Sequence, residues 1–277
     1  MKLLYPLAKR FIAGHDFDSA KPKIKELMDQ GYEVSIDYLG ETSSCQADCN
    51  KARSQYFKII NYYRDQKIDI SIKPSQLGIK IHPILSYTNL SVLARHAKNY
   101  GHTIRLDMED SSVTQMTINQ ALSLNKKFGN VGVAIQANLY RSKEDLQLLK
   151  KNNVSVRIVK GAYRENALIA HQDPLDIEHA FFHHAANMVH ANKTAIGTHD
   201  EELLLDISDM LLHSNNFDYE FLYGIRRDLH KMLKDEGKKV RIYVPFGHQW
   251  LPYTLRRLRE FKNLKFVLKN IWKEWIT

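Results

Sequence analysis

"VGVAIQANLYRSKEDLQLLKKNNVSVRIVKGAY", residues 131–163, sets two β-branched runs on either side of a charged stretch with a helical pattern. A strand, a helix and a second strand in that order suit two parallel strands with the helix crossing outside the sheet. Similar runs recur in both directions: "VSIDYLG" (34–40), "DISIKPSQLG" (69–78), "TIRLDME" (103–109), "TAIGTHD" (194–200), "YEFLYG" (219–224) and "VRIYVPFG" (240–247). Helical stretches such as "SVLARHAKNYG" and "DEELLLDISDMLLHS" separate them. Eight strands alternating with helices predict an α/β fold, a distorted (β/α)8 TIM-like barrel. A doubly wound open sheet is the rival, but it usually carries a Gly-rich first turn, and no G-x-G-x-x-G occurs in the chain.

The length of 277 residues suits one barrel, and 44% hydrophobic residues supply its core. No Pro-rich or Gly/Ser-rich linker divides the sequence, so residues 1–277 are expected to form a single domain, with 1–30 a helical lead-in. An amphipathic terminal helix, "NLKFVLKNIWKEWIT" with Trp272 and Trp275, is expected at the other end. No apolar run approaches the roughly 20 residues that span a bilayer. The net charge of +9 raises the question of nucleic acid, but the basic residues are scattered among acids, as in "KEDLQLLKK", and no nucleic-acid-binding signature accompanies them. The two cysteines, Cys45 and Cys49, are too few for a four-ligand metal site and read as reduced thiols.

The chemistry is written at the carboxyl ends of the strands, where βα loops of a barrel converge. Asp37 and Glu41, Lys73, Asp107 and Glu109, Gln136 and Asn138, Arg157 and Lys160, Thr198 with His199 and Asp200, Glu220 with Tyr223, and Tyr243 stand there in order. Barrel interiors are ordinarily aliphatic, so polar groups repeated at every strand end point to a polar ligand. There is no H-E-x-x-H, no nucleophile elbow and no P-loop, and no metal is expected. Asp107 and Glu109 raise glycoside hydrolysis, but alternate strand positions would put them on one face, with Asp107 among cations. Lys160 could form a Schiff base, although Gly161 beside it suits a turn whose backbone approaches a cofactor. After the last strand, Arg256, Arg257 and Glu260 share a helix; alone, such a set would read as a surface salt bridge worth about 0.3–0.5 kcal/mol.

Taken together, "SIDYLGE", "IKPSQLG", "RLDMED", "QANLYRS", "RIVKGAYRE", "THD", "EFLYGIRRDL" and "YVPFGHQWLPYTLRRLRE" resemble the monofunctional proline dehydrogenase family and the same module of bifunctional proline-utilisation flavoproteins. The match runs in order from about Phe11 to the end. The resemblance implies a distorted (β/α)8 barrel with non-covalent FAD at the strand ends. It implies that Met108, Gln136, Arg157, Lys160, Gly161, Ala162, Thr198 and His199 contact the cofactor, with Arg157 near the flavin N5 edge. Lys73, Tyr243, Arg256, Arg257 and Glu260 would bind the substrate, the two arginines gripping its carboxylate and Tyr243 packing on its ring. Asp107 would orient Lys73 or neighbouring donors and, with Arg157, serve catalysis.

The expected activity is oxidation of L-proline to Δ1-pyrroline-5-carboxylate, with hydride passing from C5 to flavin N5 and electrons then to a quinone. Two other readings stay open, a hydroxyproline dehydrogenase and a barrel kept as a non-catalytic scaffold. Tyrosine at position 243 favours proline over hydroxyproline. A cytoplasmic location is expected, with peripheral contact at the inner face of the cytoplasmic membrane an open option.

Overall fold

The structure, a computed structural model, describes residues 8–40, 42–188, 191, 193–210 and 217–260, with the side chains of 258–260 excepted. Eight strands, β1 (Glu33–Tyr38), β2 (Asp69–Ile72), β3 (Thr103–Leu106), β4 (Val131–Gln136), β5 (Val156–Val159), β6 (Thr194–Gly197), β7 (Phe217–Leu222) and β8 (Val240–Phe246), form a closed barrel in the order β1-β2-β3-β4-β5-β6-β7-β8. Every expected run overlaps its strand, six containing it whole while β1 and β7 begin one and two residues earlier, so the (β/α)8 expectation holds. The expected terminal helix and Glu41 lie outside the described residues. Among the described residues no helix is long and apolar enough to cross a membrane.

The strands stop earlier than their sequence runs. β2 ends at Ile72, because Pro74 has no N–H for the ladder and opens a 3-10 turn, Pro74–Leu77. β3 ends at Leu106, with one further ladder bond from the Asp107 N–H to the Ile72 carbonyl at 2.9 Å. Asp107 and Glu109 therefore stand on the loop beyond β3, not at alternate positions of one strand face, and each takes its own partners.

The chain forms two compact units, residues 41–218 and residues 1–40 with 219–277. In the first, β2 to β6 pair in parallel, and β2 and β4 are buried along their whole length, as a sheet covered on both faces requires. Helices α2 (Gln46–Tyr62), α3 (Pro83–Asn99), α4 (Ser111–Phe128), α5 (Ser142–Lys151), α6 (Pro174–Asn187) and α7 (Glu201–Met210) alternate with them. Asp110 and Asp173 cap α4 and α6 by accepting from the N–H groups of Ser112 and Leu175, and Pro174 begins α6 where its missing N–H costs nothing. Cys45 precedes α2 and is exposed, whereas Cys49 is buried; neither is in a disulfide.

In the second unit, β1 and β8 pair over six registers, Glu33↔Arg241 to Tyr38↔Phe246, and β7 flanks β8 on its other side. α1 (Phe17–Asp29) precedes β1 and starts with a capping box between Asp16 and Ser19. α8 (Arg227–Asp235) leads into β8, and α9 (Trp250–Glu260) follows it. Phe11, Ile12, Leu39, Ile225 and Tyr253 form a small core here, with Trp250 packed against it. That packing fixes the start of α9 through its first-turn aromatics.

Candidate active site

Period-two alternation puts Asp69 and Ser71 on one face of β2 and Ile70 and Ile72 on the other, with Lys73 continuing the polar row just beyond the strand. Thr103 and Arg105 on β3 and Arg157 on β5 bring their polar groups to the same place. Arg157 donates from Nη1 to Asp107 Oδ1 at 2.8 Å and from Nη2 to Ser71 at 2.9 Å. Lys73 Nζ lies 3.3 Å from the other oxygen of Asp107. One carboxylate thus joins two cations that arrive from different strands. Beneath them Asp69, 1% exposed, accepts from Thr103 at 2.5 Å and from Arg105 at 3.4 Å, and lies 3.7 Å from Arg157. Unpaired, any of these charges would cost several kcal/mol at such burial. Asp69, Ser71 and Arg105 escape a reading confined to strand ends, although Asp69 and Ser71 repeat the two-residue step that leads to Lys73.

A second chain of contacts runs along the neighbouring strand ends. Glu109 accepts from the Ser75 N–H at 2.9 Å and from its hydroxyl at 2.5 Å. Burial pushes the Glu109 carboxyl above its usual range, against the opposing effect of both serine bonds. The Gln136 amide donates to the Glu109 carbonyl at 3.1 Å and accepts from the Ala162 N–H at 3.4 Å, so it ties the end of β4 to the turn after β5. Gly161 has φ +121°, and a Cβ there would sit 2.3 Å from Asn138 Oδ1. That oxygen is buried and has no hydrogen-bond partner among the described residues. Lys160 Nζ reaches Glu178 at 2.8 Å and Asp200 at 2.7 Å. Thr198 is buried and its hydroxyl accepts from the Asp200 N–H at 3.3 Å, while Met108 is buried and His199 half-buried. The structure therefore brings together Lys73, Asp107 and Arg157 in one network, and links Gln136 to Ala162 in another.

The remaining candidates belong to the unit that contains α9. Tyr243 is buried in β8 opposite Leu222, and its carbonyl accepts from the Tyr223 N–H at 2.9 Å. Arg256 is exposed on α9. Arg257, half-buried, lies over the Tyr253 ring, with 5.3 Å between guanidinium carbon and ring centre. That i,i+4 contact is a cation–π pairing along the helix face. Glu260 ends α9, but its side chain lies outside the described residues.

Two histidines that a sequence reader might enlist have other duties. His184 on α6 is buried and its pKa falls to about 4, chiefly through burial, while its neighbour His183 is exposed. Among the described residues no group of three or more His, Cys, Asp or Glu could hold a metal ion.

Comparison with known proteins gives one consistent answer. The family model for proline dehydrogenase matches residues 20–268. Proline dehydrogenase of Deinococcus radiodurans is 35% identical over 286 residues, covering 98% of this chain and 91% of the relative. Proline dehydrogenase 1 of Bacillus subtilis (strain 168) is 32% identical over 275 residues, covering 96% and 91%. Among solved structures, proline utilization A from Bdellovibrio bacteriovorus, inactivated by N-propargylglycine, superposes with a TM-score of 0.87 at 21% identity. It covers 95% of this chain, which spans 33% of that longer one, and at this identity the likeness speaks for the barrel alone. A family match over nearly the whole length, relatives above 30% identity and the barrel itself agree: the chain belongs to the proline dehydrogenase family.

Proposed function

We propose that the protein is a flavin-dependent dehydrogenase that oxidises L-proline to Δ1-pyrroline-5-carboxylate, the first step of proline breakdown. The observation that carries this reading is the chain Lys73–Asp107–Arg157, with Asp107 and Arg157 buried, at the strand ends of a member of the proline dehydrogenase family.

The residues present fit FAD. A flavin ring needs a fixed cation, donors and acceptors along one edge, and room for its plane against backbone. Arg157 supplies the first, the Asn138 oxygen a buried acceptor without a partner among the described residues, and Gly161 a bare stretch of turn backbone, packed against Asn138 as no side chain would allow. Met108, Gln136, Arg157, Lys160, Gly161, Ala162, Thr198 and His199 would hold the cofactor. Bound FAD supplies the two-electron acceptor for the hydride leaving substrate C5.

The chain's own residues do the rest. Arg157, held by Asp107 and Ser71, keeps a positive charge where electron density accumulates during the transfer. Asp107 sets the directions of both Lys73 and Arg157 through its two oxygens. By the family resemblance, Lys73, Arg256 and Arg257 are assigned to the substrate carboxylate, Glu260 to substrate binding and Tyr243 to the pyrrolidine ring. A quinone receives the electrons in this scheme, in a cytoplasmic setting with peripheral contact at the inner membrane face.

The test is direct. The purified protein, loaded with FAD, should show a flavin absorbance band that bleaches anaerobically on adding L-proline. Protein that takes up no FAD, or a band unchanged by L-proline, overturns the proposal; faster bleaching by hydroxyproline would reassign the substrate.

A further inference from the structure

Lys160 stands next to the glycine turn, and both its ends are held. Its carbonyl accepts from the Asn138 N–H at 3.0 Å. Its ammonium lies 2.8 Å from Glu178 on α6 and 2.7 Å from Asp200, the residue before α7. Asp200 is fixed in turn, because its other oxygen accepts from the Leu203 N–H at 3.2 Å. The side chains of the three are only 28–33% exposed. Burial alone would raise the Asp200 carboxyl, yet the Lys160 ammonium and its other donors hold it below the usual range, so it stays ionised. Two carboxylates on one ammonium leave no surplus positive charge for a phosphate. The same ammonium ties β5 to the start of the next two helices, one residue before a backbone conformation that only glycine adopts comfortably.

We propose that Glu178 and Asp200 are positioning residues that act through the Lys160 ammonium to fix the Gly161–Ala162 turn in the shape that receives the cofactor. Lys160 then serves FAD with its main chain, and its charge is a tie between elements. This inference rests on the FAD reading above.

The test uses the full chain, stripped of flavin and titrated with FAD while flavin fluorescence is followed. Glu178→Gln and Asp200→Asn keep side-chain shape, and Asn still caps α7. Each should weaken FAD binding about tenfold, and Lys160→Met combined with Asp200→Asn should be no worse than Lys160→Met alone, as expected for groups acting as one unit. Lys160→Arg, which can bridge the same carboxylates, should restore binding to within about threefold. Thermal melts with and without FAD separate positioning from plain stability. A tenfold weaker site removes about 1.4 kcal/mol of FAD-induced stabilisation, read as the gap between the two melts of one variant, beyond any shift of its flavin-free melt. Affinities within twofold of the parent in both carboxylate variants, or additive losses in the double variant, overturn the inference. A parent chain that takes up no FAD overturns instead the reading on which it rests.

Discussion

Gly161 shows how one residue's missing side chain shapes the site. Its φ of +121° is strained for any L side chain, and a Cβ would meet the Asn138 carboxamide oxygen at 2.3 Å. Gly161→Ala should therefore cost about 1–3 kcal/mol and lower the melting temperature. Adding Asn138→Ala should recover the steric part and leave the dihedral part; no recovery at all would mean that Asn138 is not the obstacle. Asp107 poses the opposite problem, a single carboxylate shared by Lys73 and Arg157. Asp107→Asn keeps the shape and removes the charge. Losing charge-assisted bonds worth about 1.5–3 kcal/mol should lower kcat/KM for proline by roughly 10- to 150-fold with the fold intact. Arg256→Met belongs at this scale too: under the proposed carboxylate role, loss of this exposed guanidinium should raise KM with kcat nearly unchanged, and an unaltered KM would remove Arg256 from the proposed clamp.

Between β5 and α6 runs a segment without regular secondary structure, and neighbouring elements hold it in place. Glu165 accepts from the Ser111 N–H at 2.8 Å and from its hydroxyl at 2.6 Å, so the segment caps α4 from outside. Tyr140 receives it on the other side, donating its N–H to Ile169 at 3.0 Å and its hydroxyl to Ala167 at 3.1 Å. Glu165→Ala should cost about 1 kcal/mol, the usual value of a lost cap, and speed proteolytic cutting near the 84%-exposed Leu168. Unchanged cutting would show that the contacts of Tyr140 and the His171 N–H bond to the Asn138 carbonyl hold the segment without Glu165. The strands were legible because buried parallel strands spell themselves in β-branched residues. Their ends were not, since Lys73 and Asp107 continue the alternation after the ladder has stopped. Glu178 was equally hidden, as an acid on an amphipathic helix looks solvent-facing until Lys160 is found beside it. The polar layer under the site, Asp69 with Arg105, was missed because charges inside a barrel defy the aliphatic expectation. Only three-dimensional pairing makes such charges tolerable.

At the scale of the whole molecule, buried histidines make stability depend on pH: burial lowers the pKa of His102, His184 and His230. His230, on α8, packs edge-on against Tyr32 at 5.1 Å and lies 3.1 Å from its hydroxyl, and burial lowers its pKa to about 4. In the unfolded chain a histidine titrates near 6.5, so between about 6.5 and 4 the unfolded state binds the extra proton. Stability contributed by the neutral ring is complete above the unfolded value and falls as pH drops through that window, by up to about 3 kcal/mol for His230. Carboxyls with lowered values, such as Asp110 and Asp200, add their own loss only as pH falls below about 3.8. Urea midpoints should therefore decline from pH 7 to pH 4.5 before the carboxyls with lowered values contribute, with the raised Glu109 carboxyl opposing part of the loss, and His230→Phe should flatten the decline. His184 supplies a second reporter from the other compact unit, with its pKa also near 4. A closed ring of eight strands makes one cooperative transition the expectation, so each histidine variant should flatten the same curve. Two separable transitions, each sensitive to only one of the histidines, would show instead that the units melt independently.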